Sequence, residues 1–130
     1  MLWFNRFKLV LTGLTLSAAL LTGGVQAKAP PSAGLQSTIS LAELPSPGVE
    51  IYRCIHQGGP FVSEKDGSVF GNRERLLPAQ KRGFYREYTV PTPGLKHRGV
   101  KRIVCGGQAK TPEVCYFTAD HYASFRRIAP

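Results

Sequence analysis

FYREYTVPTPGLKHRGVKRIV, residues 84–104, reads as strand, turn, strand: β-branched and aromatic residues crowd both ends, and Pro91, Pro93 and Gly94 break the middle. A link of hairpin length sets the two strands antiparallel. Alternation places Tyr85, Glu87 and Thr89 on one face of the first strand. On the second it separates Val100, Arg102 and Val104 from Lys101, Ile103 and Cys105. Arg102 is thereby expected to oppose Glu87, and the turn contributes His97 and Arg98. A lone carboxylate on a strand is usually a solvated surface group. One facing two guanidiniums, in a chain with 17 Lys and Arg against eight Asp and Glu, calls for another explanation.

The segments on either side repeat the pattern. EKDG leads into SVFGNRE (68–74), the turn-forming GGQAKTPEV (106–114) leads into VCYFT, and ASFRRI (123–128) closes the chain. Upstream, LPSPGVEIYRCIHQGGPF carries the only helical signal. Ser46 is expected to cap it, Pro47 suits its first position, Gly58-Gly59-Pro60 stops it, and Ile51 and Ile55, with Val49 and Tyr52, supply an apolar face. One helix followed by short consecutive strands predicts an α+β domain. In it one main N-terminal helix packs on a twisted antiparallel β-sheet, leaving the other face open for a site.

The first residues have the layout of a secretory signal: Arg6 and Lys8, an apolar run from Leu9 to Leu21, then small residues to Ala27. The run is shorter than the ~20 residues a span needs. Residues 1–27 are therefore expected to be cleaved as a signal peptide, with an uncleaved anchor as the alternative and secretion, extracellular or periplasmic, as the destination. Residues 28–40, KAPPSAGLQSTIS, have little to bury and read as a flexible N-terminal arm, leaving 41–130 as the folded domain.

Removing the signal takes away two basic residues and no acids, leaving a formal charge of +7. Such a field favours nucleic acid, anionic lipid or acidic polysaccharide without choosing among them. Of three cysteines in an exported chain only one pair can close. Cys105 and Cys115 flank a turn between strand-like runs and are the expected disulfide, while Cys54 on the helix reads as a small apolar filler. Neither C-x-x-C nor H-x-x-x-H spacing occurs, so no metal site is expected.

In TADHYASF (118–125) His121 stands between an acid and an aromatic. Glu87, Arg98, Arg102 and His121 together supply a carboxylate and imidazole for proton transfer and two guanidinium forks for a phosphate. The words carrying these residues are GPF (59–61), DGSVFGNRE (66–74), GFYREYTVPTPGLKHRG (83–99), KRIV (101–104) and TADHYASF. In order and spacing they resemble the barnase-like family of bacterial guanyl-specific ribonucleases, most closely its small secreted members. The resemblance covers about Leu41 to Ile128.

It implies the microbial ribonuclease fold and a secreted, cofactor-free, metal-independent endoribonuclease. Such an enzyme cuts single-stranded RNA 3′ of guanosine through a 2′,3′-cyclic phosphate. Glu87 would be the general base, His121 the general acid, and Arg98 and Arg102 the phosphate clamp. Phe70, Asn72, Arg73 and Glu74 would hold the base, Glu74 accepting from guanine N1–H and the 2-amino group. Tyr122 would line the phosphate site or pack under the sheet.

Two features depart from the family. Gly71 stands where relatives carry a larger polar residue, and the expected disulfide spans a hairpin instead of tying the chain ends. The resemblance also suggests a barstar-like protein inhibitor as a further partner; a monomer is expected, with no stable membrane association once the signal is cleaved. The readings set against this one are a catalytically inactive cationic module for RNA or other polyanions, and a ribonuclease toxin restrained by a cognate inhibitor.

Overall fold

The computed structural model describes residues 35–130; the expected signal and the arm up to residue 34 lie outside the described residues. Six strands form one sheet in the order β1-β6-β5-β4-β3-β2. They are β1 (Leu35–Ser40), β2 (Ser68–Val69), β3 (Tyr85–Thr89), β4 (Arg102–Gly107), β5 (Pro112–Thr118) and β6 (Phe125–Ala129). Four neighbouring pairs are antiparallel, as the short links require, and β1 runs parallel to β6.

The edge strand β1 corrects the expectation of a flexible arm to residue 40 and of a wholly antiparallel sheet. Leu35–Ser40 has few apolar residues, but Ile39 is 1 % exposed and aligns with Ile128 of β6. That partner sits at the far end of the chain, where local composition gives no hint of it.

Helix α1 (Ser46–Gln57) lies against the sheet through Ile51 and Ile55, and closes on Gly58 in a left-handed conformation. Pro45, not Ser46, occupies the cap position, and no side chain caps the helix start. A short 3-10 turn, Leu41–Glu43, precedes it.

Alternate residues of the strands build two cores. Beneath the helix, Tyr88, Val90, Ile103 and Phe117 pack with Ile51, Ile55 and the Cys105–Cys115 disulfide, which forms as expected across paired positions of β4 and β5. On the opposite face Tyr85, Val104, Tyr116 and Phe125 enclose Leu77, with Phe70, Phe84 and Tyr122 along their margin. Gly106 admits this second layer: a Cβ there would lie 2.2 Å from the Phe84 ring. Cys54 is half-buried on the helix and free.

Candidate active site

The open face of β3 and β4 sets the geometry. Glu87 pairs with Val104 and Thr89 with Arg102, so Arg102 lies diagonal to Glu87, one alternate position along, and not directly opposite it as the sequence suggests. Both still point to the same side. The Glu87 carboxylate is gripped at both oxygens. Tyr122 donates its hydroxyl to Oε2 at 2.9 Å, and the Arg98 guanidinium stands 3.7 Å from Oε1. Burial and the hydrogen bond to the Glu87 carboxylate both push the Tyr122 phenol up, the neighbouring Arg102 opposing them.

The two arginines are positioned by backbone carbonyls and one hydroxyl. Arg102, 3 % exposed, donates through Nη1 to the carbonyls of Gly99 and Lys101, and its guanidinium lies 6.0 Å from the Tyr122 ring centroid. Arg98 donates through Nε to the Thr89 hydroxyl at 2.9 Å, and the Thr89 amide is itself held by the Asp66 carboxylate at 2.7 Å. Two buried donors, Arg98 Nη2 and Arg102 Nε, have no hydrogen-bond acceptor. Unsatisfied buried donors are costly in a purely structural role. Beside a half-buried carboxylate they form a fixed cationic wall suited to an anion's oxygens.

The corner after β5 carries His121. Thr118, 1 % exposed, accepts from the amides of Asp120 and Tyr122 and donates its own proton to the Asp120 carboxylate. Asp120 also accepts from the amide and hydroxyl of Ser124. Burial pushes the Asp120 carboxyl up, but the Ser124 and Thr118 hydrogen bonds outweigh this and hold it below its ordinary value. This clasp holds His121 (φ 53°) and Tyr122 (φ 70°) in the left-handed region, where non-glycine residues are uncommon. His121 is exposed, its ring tilted against that of Tyr122 at 4.9 Å. It reaches the Glu87 neighbourhood through this tyrosine.

Between Glu87 and the 70–74 loop lies a cavity of about 370 Å³, lined by Phe70, Asn72, Arg73, Glu74, Glu87 and Tyr122 among others. SVFGNRE does not run as one strand: pairing ends at Val69, and Asn72 turns left-handed (φ 48°). The Asn72 side chain is used to hold this turn, donating to the Leu77 carbonyl and accepting from the Leu77 amide. Anything it offers a ligand is therefore its backbone. Among the described residues no acceptor takes the amide protons of Gly71, Asn72, Arg73 or Glu74. Phe70 stacks on Tyr122 at 5.2 Å and meets Phe125 edge-on at 5.9 Å, making one continuous aromatic floor from the loop to the His121 corner.

The sequence-expected residues thus surround a single cavity or touch a residue that lines it. Sequence reading passed over Thr89, Thr118 and Asp120. The only available signal was a hydroxyl on the Glu87 face and an acid beside His121.

A family model described as ribonuclease matches residues 26–129. Guanyl-specific ribonuclease Sa3 of Kitasatospora aureofaciens is 50 % identical over 90 residues, which cover 69 % of this chain and 62 % of that protein. Guanyl-specific ribonuclease Sa of the same organism is 43 % identical over 94 residues, covering 72 % of this chain and 95 % of that protein. Among solved structures, that of ribonuclease Sa2 with guanosine-2′-cyclophosphate superposes with a TM-score of 0.66 at 40 % identity, covering 74 % of this chain and 97 % of that one. With one α-helix on a six-stranded sheet among the described residues and with these matches, the chain belongs to the ribonuclease family, alongside relatives named guanyl-specific ribonucleases.

Proposed function

We propose that the protein is a metal-independent endoribonuclease that cleaves single-stranded RNA on the 3′ side of guanosine by transesterification. The observation that carries this reading is the Glu87 carboxylate held beside two arginines whose inward donors, Arg98 Nη2 and Arg102 Nε, lack acceptors. RNA brings its own nucleophile. Glu87 takes the proton of the guanosine 2′-hydroxyl, the oxygen attacks phosphorus, and the bond to the next nucleotide's 5′-oxygen breaks as protonated His121 gives that oxygen its proton. The product is a 2′,3′-cyclic phosphate. Water then opens it, with His121 now the base and Glu87 the acid.

The arginines meet the charge that grows on the phosphoryl oxygens, where a preorganised donor contributes on the order of 3 kcal/mol. Tyr122 lends its hydroxyl to Glu87 before substrate binds and lies where it can turn to a phosphate oxygen. In the cavity, Glu74 accepts from guanine N1–H and the 2-amino group while free loop amides donate to O6. Adenine offers the reverse pattern. Arg73 and the exposed part of Phe70 supply stacking surfaces.

The relatives' names, which specify guanyl ribonucleases, support the base preference. A passive polyanion binder would gain nothing from Glu87, whose charge opposes such ligands. Export through residues 1–27 belongs to the same proposal, supported by the signal-like layout and by a family match that begins at residue 26. A monomer that an acidic inhibitor covers at its basic cleft completes it.

The test is incubation of the mature chain with defined single-stranded RNA in excess chelator, with the ends mapped. Cuts after guanosine carrying a cyclic phosphate are expected. Uncut RNA, or cuts that leave 3′-hydroxyl and 5′-phosphate ends, overturns the mechanism.

A further inference from the structure

Behind the 70–73 loop lies a second cavity, about 390 Å³, that shares Phe70, Gly71, Asn72 and Arg73 with the first. Its other walls differ in kind. Lys81 and Arg82 enter from the turn before β3, and Gln80, Val69 and Tyr85 complete the lining. No acid lines it, whereas the first cavity has Glu74 and Glu87. Arg73, Lys81 and Arg82 are all exposed, and among the described residues none is ion-paired. Its open apolar wall is Val69, 44 % exposed; Tyr85, 3 % exposed, adds little free surface, and its hydroxyl donates to the Pro78 carbonyl.

We infer that this second cavity binds the nucleotide on the 5′ side of the cleaved guanosine, its phosphate on Arg73, Lys81 and Arg82 and its base against the exposed Val69. The inference rests on the proposed function. Once guanine is held by the 70–74 loop and its 3′-phosphate by Arg98 and Arg102, the remaining exit from the nucleoside is its 5′-oxygen. The cationic, acid-free cavity lies across the base-holding loop from Glu87. Three unpaired cations beside an apolar wall are what a phosphate followed by a stacked base needs, and they recognise single-stranded RNA irrespective of sequence.

The experiment compares GpU, UpGpU and GpUpU as substrates for the wild type and for the double variant Lys81→Ser/Arg82→Ser. The same G–U bond is cut in all three. In the wild type, kcat/KM for UpGpU is expected to exceed that for GpU by about tenfold, a gain of ordinary size for two or three phosphate contacts. The double variant should lose that gain and keep its GpU rate. Its dependence of log kcat/KM on log salt with UpGpU should be shallower by about one unit.

A gain that survives the double substitution overturns the inference, and so does a gain seen only with GpUpU. Equal loss on GpU overturns it too, because the cations would then act at the cleaved guanosine. A wild type that cuts GpU and UpGpU equally sinks the second cavity alone. A wild type that cuts neither sinks the proposed function on which it rests.

Discussion

The two faces of the sheet are made from alternate residues of the same strands, yet they are satisfied in opposite ways. On the covered face, Ile103, Phe117, Ile51 and Ile55 are apolar and close-packed, and the pair that links β4 to β5 is a disulfide. On the open face the strands carry Glu87, Thr89 and Arg102, and donors are left without partners. Burying polar groups on one side of a thin sheet is tolerable only if the other side supplies the stability. The covered face is therefore expected to govern unfolding and the open face turnover.

The strongest challenge to that division is Glu87→Gln. The amide keeps size and one acceptor but cannot take a proton, so kcat/KM on RNA should fall by about 10²- to 10⁴-fold, the range of a lost general base. The chemical-denaturation midpoint should hardly move. If the variant unfolds much earlier while its folded fraction still cleaves at the wild-type rate, the face assigned to chemistry is contributing structure instead.

The converse change is Ile55→Ala on the helix. Ile55 is fully enclosed, and truncation leaves a cavity costing about 2–5 kcal/mol. Urea denaturation should register that loss, while kcat/KM at low temperature, where the variant remains folded, should match the wild type. An activity loss larger than the unfolded fraction explains would mean that the helix transmits its packing to the site.

How much of this division could be read from sequence depends on the range of the contacts involved. Period-two alternation placed Glu87 and Arg102 on a common face, and Ile51 with Ile55 marked the helix side, because those signals are local. The pairing register is not local. Arg102 faces Thr89, since the turn from Val90 to Lys101 closes with one hydrogen bond, Val90 N–H to the Lys101 carbonyl, that sets the alignment. Strand β1 was missed because its partner lies some ninety residues away, and β2 was drawn too long because the Asn72 side chain closes a turn inside it. The Thr118–Asp120 clasp was invisible for a related reason. Non-glycine residues with positive φ follow from a hydrogen-bond network, not from any propensity.

Tyr85 blurs the division and so sharpens it. It lies on the open face but is 3 % exposed, and burial, with nearby Tyr116 adding to it, pushes its phenol from 10.0 to about 12. A folded-state value above the unfolded one means that its stabilising contribution is whole below pH 10 and disappears as pH rises toward 12. The wild type should therefore lose stability over that window, followed by urea denaturation at stepped pH. Tyr85→Phe should begin about 1 kcal/mol less stable, having lost the hydrogen bond to Pro78, and should decline less steeply. A parallel decline would assign the alkaline loss to Tyr88 and Tyr116, which burial also raises.

The smallest effect separates the faces most finely. Thr89 is buried on the open face, and its hydroxyl accepts from Arg98 Nε while its amide is held independently by Asp66. Thr89→Val keeps shape and backbone contacts but removes the acceptor, so Arg98 loses the restraint that aims its second nitrogen at Glu87. A net hydrogen bond to a charged group is worth about 1.5–3 kcal/mol, of which the solvent that reaches Arg98 returns part. A fall in kcat/KM of roughly tenfold is expected, mostly in kcat, because a clamp that is aimed badly binds phosphate in the ground state better than it meets the transition state. Thr89→Ser should recover most of it. If valine and serine behave alike, the hydroxyl only fills space, and Arg98 is positioned by Glu87 itself across the 3.7 Å that separates them.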